Sequence, residues 1–235
     1  MKSESIRGAA PRLLVPLPSG DGRRDARAMA DVLRLVVPDL VGLSLVVRDG
    51  ASGRPWTLAA TGADVALLDA VQYLTGGPSP ARAAQWVDLR APITAARWAG
   101  LADAAATVGV GAVLVAAGAS PDVVVHVYAG SARVATQQVD RVVAALASWT
   151  NRAKGLRDGH PDAFAVHLPE TGSLPQQGCL ARAVACVAVR QGVDVVAAQD
   201  RLCDAAGRAG VRDHDLARLL ARPSGRRADR TAGRR

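Results

Sequence analysis

The residues best equipped for chemistry in this chain are arginines near its C-terminal end. Arg201 and Arg208 follow the spacing of a helix whose opposite side carries Leu202 and Ala206. Arg212 precedes a further helical pattern, on which Arg218 and Arg222 stand four residues apart. A guanidinium is a permanently charged planar fork that pairs with phosphate through two donors and stacks on a base. Such a set suits polyanion recognition, although Asp200, Asp204, Asp213 and Asp215 equally suit a solvated, self-balanced face. Beyond it, Arg226, Arg227, Arg230, Arg234 and Arg235 form a tail whose attraction to nucleic acid would be sequence-independent and salt-sensitive. A solubilising end explains that tail as well.

Other chemistries find less material. His126 alternates with Val125 and Val127 on an apolar strand pattern, which fits a satisfied core or edge histidine better than a general base. His160 and His167 lie in a segment rich in Pro and Gly, and His214 at a helix start. With only Glu4 and Glu170 no His-Glu-x-x-His zinc motif is possible, and neither a nucleophile elbow nor a Walker loop occurs. Cys179, Cys186 and Cys203 are odd in number and lack metal-ligand spacing, so neither zinc nor a disulfide framework is expected. No catalytic residue, metal or cofactor is assigned. No Phe, Tyr or Trp follows Phe164, which excludes an aromatic stacking platform in the last third of the chain.

The elements that must position these residues follow from composition and period. Of 235 residues 49% are hydrophobic and 21% charged, which suffices for real cores. At 3% aromatic content, those cores are built of Ala, Val and Leu. The net charge of +8 is concentrated: residues 221–235 hold six Arg against one Asp. The short apolar stretch Leu13–Leu17, broken by Pro16 and followed by Pro18, does not read as a signal peptide, so none is expected, and no stretch reads as a membrane span. A soluble, cytoplasmic chain is expected, with no membrane partner.

Residues 1–23 read as a loose arm. Helical spacing predicts Arg24–Val37, then strands at Val41–Val47 and Pro55–Thr61 around a Gly-rich loop. A helix from an Asp64 cap through Tyr73 ends at the Gly76-Gly77-Pro78 break. A strand at Trp86–Leu89, a helix at Ala95–Val108, strands at Gly111–Ala116 and Asp122–Tyr128, and a helix at Gln137–Thr150 complete residues 24–150. That order predicts an α+β domain with an antiparallel sheet flanked by helices. Residues 151–177 read as a linker. Three helices follow within 178–222: Cys179–Gln191, Val195–Arg208 capped by Asp194, and a last one capped by Asp213 with Leu216, Leu219 and Leu220 as its apolar edge. A bundle of that size is near the lower limit for folding alone, so it gains by docking on the first domain or by pairing with a second copy of the chain as a homodimer. Residues 223–235 are the basic tail.

Two stretches resemble the GAF–ANTAR regulators of actinobacteria. Leu67-Leu68-Asp69-Ala70-Val71-Gln72-Tyr73-Leu74-Thr75-Gly76-Gly77-Pro78-Ser79 is similar to the family's LD-x-x-Q-Y-x-x-G-x-G-P-C segment. Arg97-Trp98, Val108–Leu114 and Val125–Ala129 resemble its later helix-to-strand and strand passages. Ala185–Val193, with Arg190 inside it, resembles the GILMxRxGV of its second half, and Ala198, Leu202, Ala206 and Leu216-Ala217 fall on the positions that follow. Ser79 stands where many relatives carry Cys, so no thiol chemistry is implied there. The resemblance implies a GAF-like sensory domain over 24–150 and an ANTAR-like three-helix RNA-binding domain over 178–222. The implied activity is transcription antitermination by gripping leader RNA hairpins, with Arg190, Arg201, Arg208, Arg212, Arg218 and Arg222 as the RNA-binding candidates. It also implies a small-molecule pocket in the first half, one wall of it shaped by the Gly76-Gly77-Pro78 turn, whose ligand the residues do not name. The alternative is a small-ligand or protein-interaction sensor whose C-terminal half no longer binds RNA.

Overall fold

The computed structural model describes residues 13–17, 19, 21–79, 84, 86–118, 120–132, 136–152 and 174–222. Most of the arm, nearly all of the linker and the whole basic tail lie outside the described residues. The order is α1 (Gly22–Arg34), β1 (Leu40–Arg48), β2 (Pro55–Ala60), α2 (Ala63–Thr75), β3 (Trp86–Asp88), α3 (Pro92–Arg97), α4 (Ala99–Thr107), β4 (Ala112–Ala117), β5 (Val123–Ala129), α5 (Thr136–Arg152), α6 (Leu174–Gln191), α7 (Val195–Ala209) and α8 (Asp213–Leu220). The strands form one antiparallel sheet in the order β2-β1-β5-β4-β3. The expected α+β class, with helices flanking an antiparallel sheet, is what the chain adopts.

Both faces of that sheet are covered, which explains the near-continuous valine run of β5. Val123, Val125, Val127 and Ala129 point into a core with Met29 and Leu33 of α1 and Val142, Leu146 and Trp149 of α5. Val124 and Tyr128 point the other way, toward Leu68 and Val71 of α2 and Leu101 of α4. A central strand buried on both sides loses the alternation of a half-exposed one.

The second core does not stop at α2 and α4. Val184 and Val187 of α6, Leu202, Ala205 and Ala206 of α7, and Leu216 and Leu219 of α8 belong to the same continuous cluster. Helix α7 lies against α2 and reaches β2, while α8 packs on α6 and meets α2 and α4. The alanine stripe of α7 lets its backbone approach closely, since interaxial distance follows side-chain size at the contact. Docking on the sheet domain is thus how the small three-helix unit covers its apolar stripes. Gly210, at φ +65°, ends α7 in the left-handed conformation, and Val211 N–H closes on Ala206 O at 3.0 Å to turn the chain into α8.

Four local expectations are corrected. The predicted Ala95–Val108 helix is two helices, because Trp98 leaves helical geometry at φ −125°, ψ 52°. Helix α6 begins at Leu174, ahead of the predicted Cys179, with Pro175 in the first turn where its missing N–H costs nothing. Asp64 and Asp213 sit in the first turns of α2 and α8; the caps are Gly62 and Arg212, without side-chain bonds. The Asp194 cap is present, accepting from Ala197 N–H at 2.8 Å. No helix among the described residues is long and apolar enough to cross a membrane.

A shared core predicts shared unfolding. All four tryptophans lie at or before Trp149, whereas Leu202 is fully buried in α7. Leu202→Ala should lower stability by about 2–5 kcal/mol. Urea unfolding followed by tryptophan fluorescence should report that loss; an unmoved midpoint would refute the common core.

Candidate functional site

A polar cluster lies inside the second core. Asp69, Gln72 and Tyr73 fall at i, i+3 and i+4 on α2 and so share one face. His126 and Tyr128, two apart on β5, share the sheet side that meets it, and Thr57 of β2 completes the set. Asp69 is completely buried and accepts three hydrogen bonds: from Thr57 Oγ1 at 2.9 Å, Tyr128 Oη at 2.6 Å and His126 Nδ1 at 2.8 Å. A carboxylate offers only acceptors, so the imidazole faces it through N–H. The Thr57 hydroxyl hydrogen is used on Asp69, leaving Thr57 Oγ1 to accept from Tyr73 Oη at 2.7 Å. Tyr128 Oη in turn accepts from Gln72 Nε2 at 2.6 Å. The Thr57 and Tyr128 hydroxyls thereby each donate once and accept once, and the Tyr73 hydroxyl donates its proton, which offsets desolvation of the buried groups.

Burial, then the charge of Asp69, pushes both tyrosine pKa values well above the ordinary phenol value. Ser44 stands beside His126 in the β1–β5 register, so serine, histidine and aspartate occur together. Ser44 Oγ is nonetheless buried without a partner among the described residues, and the nucleophile-to-base bond of acyl transfer is not made. The Gly76–Pro78 turn closes on the cluster: a side chain at Gly77 would collide with Gln72. The turn therefore packs against Gln72.

The cluster extends to the C-terminal helices through Arg208, which corrects the sequence reading of that residue. Its guanidinium is 8% exposed. It stacks on the Tyr73 ring with Cζ 4.8 Å from the centroid, and donates to Pro55 O at 3.2 Å and Asp204 Oδ2 at 3.0 Å. Arg208 is thus turned into the core, with its guanidinium engaged by protein groups. A second polar link is Gln191, whose amide donates to Leu74 O at 2.6 Å and accepts from Arg201 Nη1 at 2.6 Å. Arg190 turns toward Asp103 of α4 at 3.7 Å. Arg212 and Arg218 converge on Asp215, at 2.9 and 2.6 Å, and both remain half-exposed or more. Partial burial opposes ionisation of Asp215, but those two hydrogen bonds, joined by the charges of His214 and Arg212, outweigh it and lower its pKa. Arg222 is exposed just past α8. The six arginines thus do not form one face: Arg208 points inward, Arg190 and Arg201 border the domain contact, and Arg212, Arg218 and Arg222 gather at α8.

Among the described residues, no group of three or more His, Cys, Asp or Glu could hold a metal ion. The three cysteines are free, and burial followed by the Asp213 hydrogen bond pushes the Cys203 thiol up to about 12. Comparison of the chain with protein-family models, curated proteins and solved structures gives no match. The sequence reading assigns Thr57, Asp69, Gln72, Tyr73 and Tyr128 no role. The legible signal was a three-residue polar face on α2, in a helix otherwise apolar, opposite a strand with His and Tyr two apart.

Tyr73 and Tyr128 are the chain's only tyrosines. An acid whose pKa is raised by folding keeps its proton after the unfolded chain has lost it. Its stabilising contribution is therefore intact below pH ~10 and declines as pH rises beyond it. Ultraviolet titration should find no tyrosinate in the folded protein at pH ~10, where free tyrosine is half ionised. The signal should appear only with unfolding; half-ionisation in the native state would refute the cluster. Tyr128→Phe, which orphans Gln72 and takes one donor from Asp69, should cost about 1–3 kcal/mol in chemical denaturation.

Proposed function

We propose that this chain is a signal-responsive RNA-binding regulator of the transcription antitermination type. In this reading the sheet domain is the sensory half, and α8 with its flanking residues is the contact surface for leader hairpins. The observation that carries it is the exposure of Arg212 at the N-cap of α8, Arg218 within it and Arg222 just past it, the first two meeting at Asp215, on a helix anchored by buried Leu216 and Leu219. The likeness of the two halves to GAF and ANTAR segments supports it. Arg212 and Arg218 share one carboxylate, which leaves donors over on each guanidinium, and exposed ion pairs of this kind yield readily. Phosphate would supply affinity through counterion release, and guanidinium planes would supply stacking on splayed loop bases. A change of state in the first half would reach α8 through the Arg208 and Gln191 links, shifting α7 and α6 against α2.

A gel-shift titration with a tandem-hairpin leader tests this. The variant R212A/R218A/R222A should lose about tenfold or more in affinity, with a shallower salt dependence. Equal affinity for wild type and variant would overturn the reading.

The inward Arg208, together with Arg190 and Arg201 at the domain contact, favours a second reading. Under it the chain is a ligand or protein-interaction sensor whose C-terminal helices serve the sheet domain alone. Wild-type protein would then bind the tandem hairpin no better than an unstructured RNA of equal length.

A further inference from the structure

We propose that the RNA backbone runs along the groove between α1 and α8, so that Arg23 and Arg27 complete a cationic surface begun by Arg212 and Arg218. This rests on the RNA-binding reading and adds to it a second wall, drawn from the opposite end of the chain.

The groove encloses about 600 Å³, with Arg23 and Arg27 on its α1 side, Arg212 and Arg218 on its α8 side, and Asp64 and Asp215 between. Helix α1 buries Ala26, Met29, Ala30 and Leu33 against the sheet. Arg23 and Arg27, four residues apart, project together from its exposed side. Arg27 Nε donates only weakly, to Thr61 O at 3.4 Å, and neither arginine has a carboxylate partner among the described residues. Opposite them, one carboxylate serves two guanidinia. Four arginines against two aspartates leave the groove with two uncompensated positive charges, and a concave site focuses such a field.

Its course argues for a strand over a single ion. The groove continues into a second hollow of about 380 Å³, which shares Arg27 and Asp64 and adds Arg34 and Asp31. Arg34 is paired with Asp31 there, so the surplus charge sits among Arg23, Arg27, Arg212 and Arg218, and the second hollow lengthens the path open to a chain of phosphates. No part of the three-helix unit taken alone could present this line, since Arg23, Arg27 and Arg34 belong to the first helix.

The test uses the full chain and fluorescence anisotropy with tandem-hairpin RNA at roughly 50 and 200 mM salt. R23A/R27A should bind about five- to tenfold more weakly, and its salt slope should fall by about two. Arg24→Ala, on the same helix but outside the groove, should bind as wild type does, and matched thermal midpoints check that all variants are folded. An R23A/R27A protein with the wild-type slope, beside a weakened R212A/R218A/R222A protein, overturns the groove and leaves the RNA reading standing. If wild type shows no salt-dependent hairpin binding, that reading fails and the groove proposal with it.

Discussion

Asp69 is a carboxyl group with no access to water, held in a core of valine, leucine and alanine. Left unpaired, a charge so placed would cost several kcal/mol, on the order of the whole margin of a domain. Its three donors come from β2 and β5, and its own backbone from α2. Those elements therefore sit in one mutual register, because a shift of one residue on β5 would turn His126 and Tyr128 to the other face. The apolar residues around the cluster supply most of the burial, and the polar set selects which of many apolar packings is adopted.

From that centre the order spreads to the C-terminal helices. Tyr73 passes it to Arg208 by stacking, and Arg208 touches β2 through Pro55 and its own helix through Asp204. Gln191 makes a parallel tie from α6 to the last turn of α2. These contacts lie at the rim of an apolar contact made largely by alanine, which holds well but orients poorly. The polar ties give α7 a definite position on α2. They also decide which arginines remain for solvent or a partner, drawing one inward, engaging two at the seam and leaving the α8 group outside.

Much of the fold was legible in the residues. Strands β1, β2, β4 and β5 and helices α1, α2, α5 and α7 lie close to where hydrophobic period and Gly/Pro punctuation place them. The boundaries that differed are those where local signals compete. Trp98 interrupts an alanine-rich run that reads as one helix, and Pro175 reads as a linker residue though the first helical turn accepts it. Asp64 and Asp213 have the chemistry of caps but stand inside their helices. Arg208 misled for a related reason. At ~100° per residue it falls about 120° from Leu202, beyond the apolar stripe on a helical wheel. Helix α7, however, is contacted by both α2 and β2, so its buried arc is wider than the stripe, and an aromatic face waits at its edge.

The chain by itself determined its periodicities: which segments are helix or strand, which side of each is apolar, and that α2 and β5 each carry polar residues on a face meant for burial. Those are short-range properties, set by side-chain type and the geometry of a single element. Only the tertiary structure decided that Asp69, His126, Tyr128 and Thr57 share one set of protons, and that Arg208 stacks on Tyr73 at its edge from another part of the chain. It likewise decided that Arg23 and Arg27 face Arg212 and Arg218 across one groove. Such meetings depend on how helices and sheet cross, and a crossing is settled by the packing of whole faces, which no local spacing encodes.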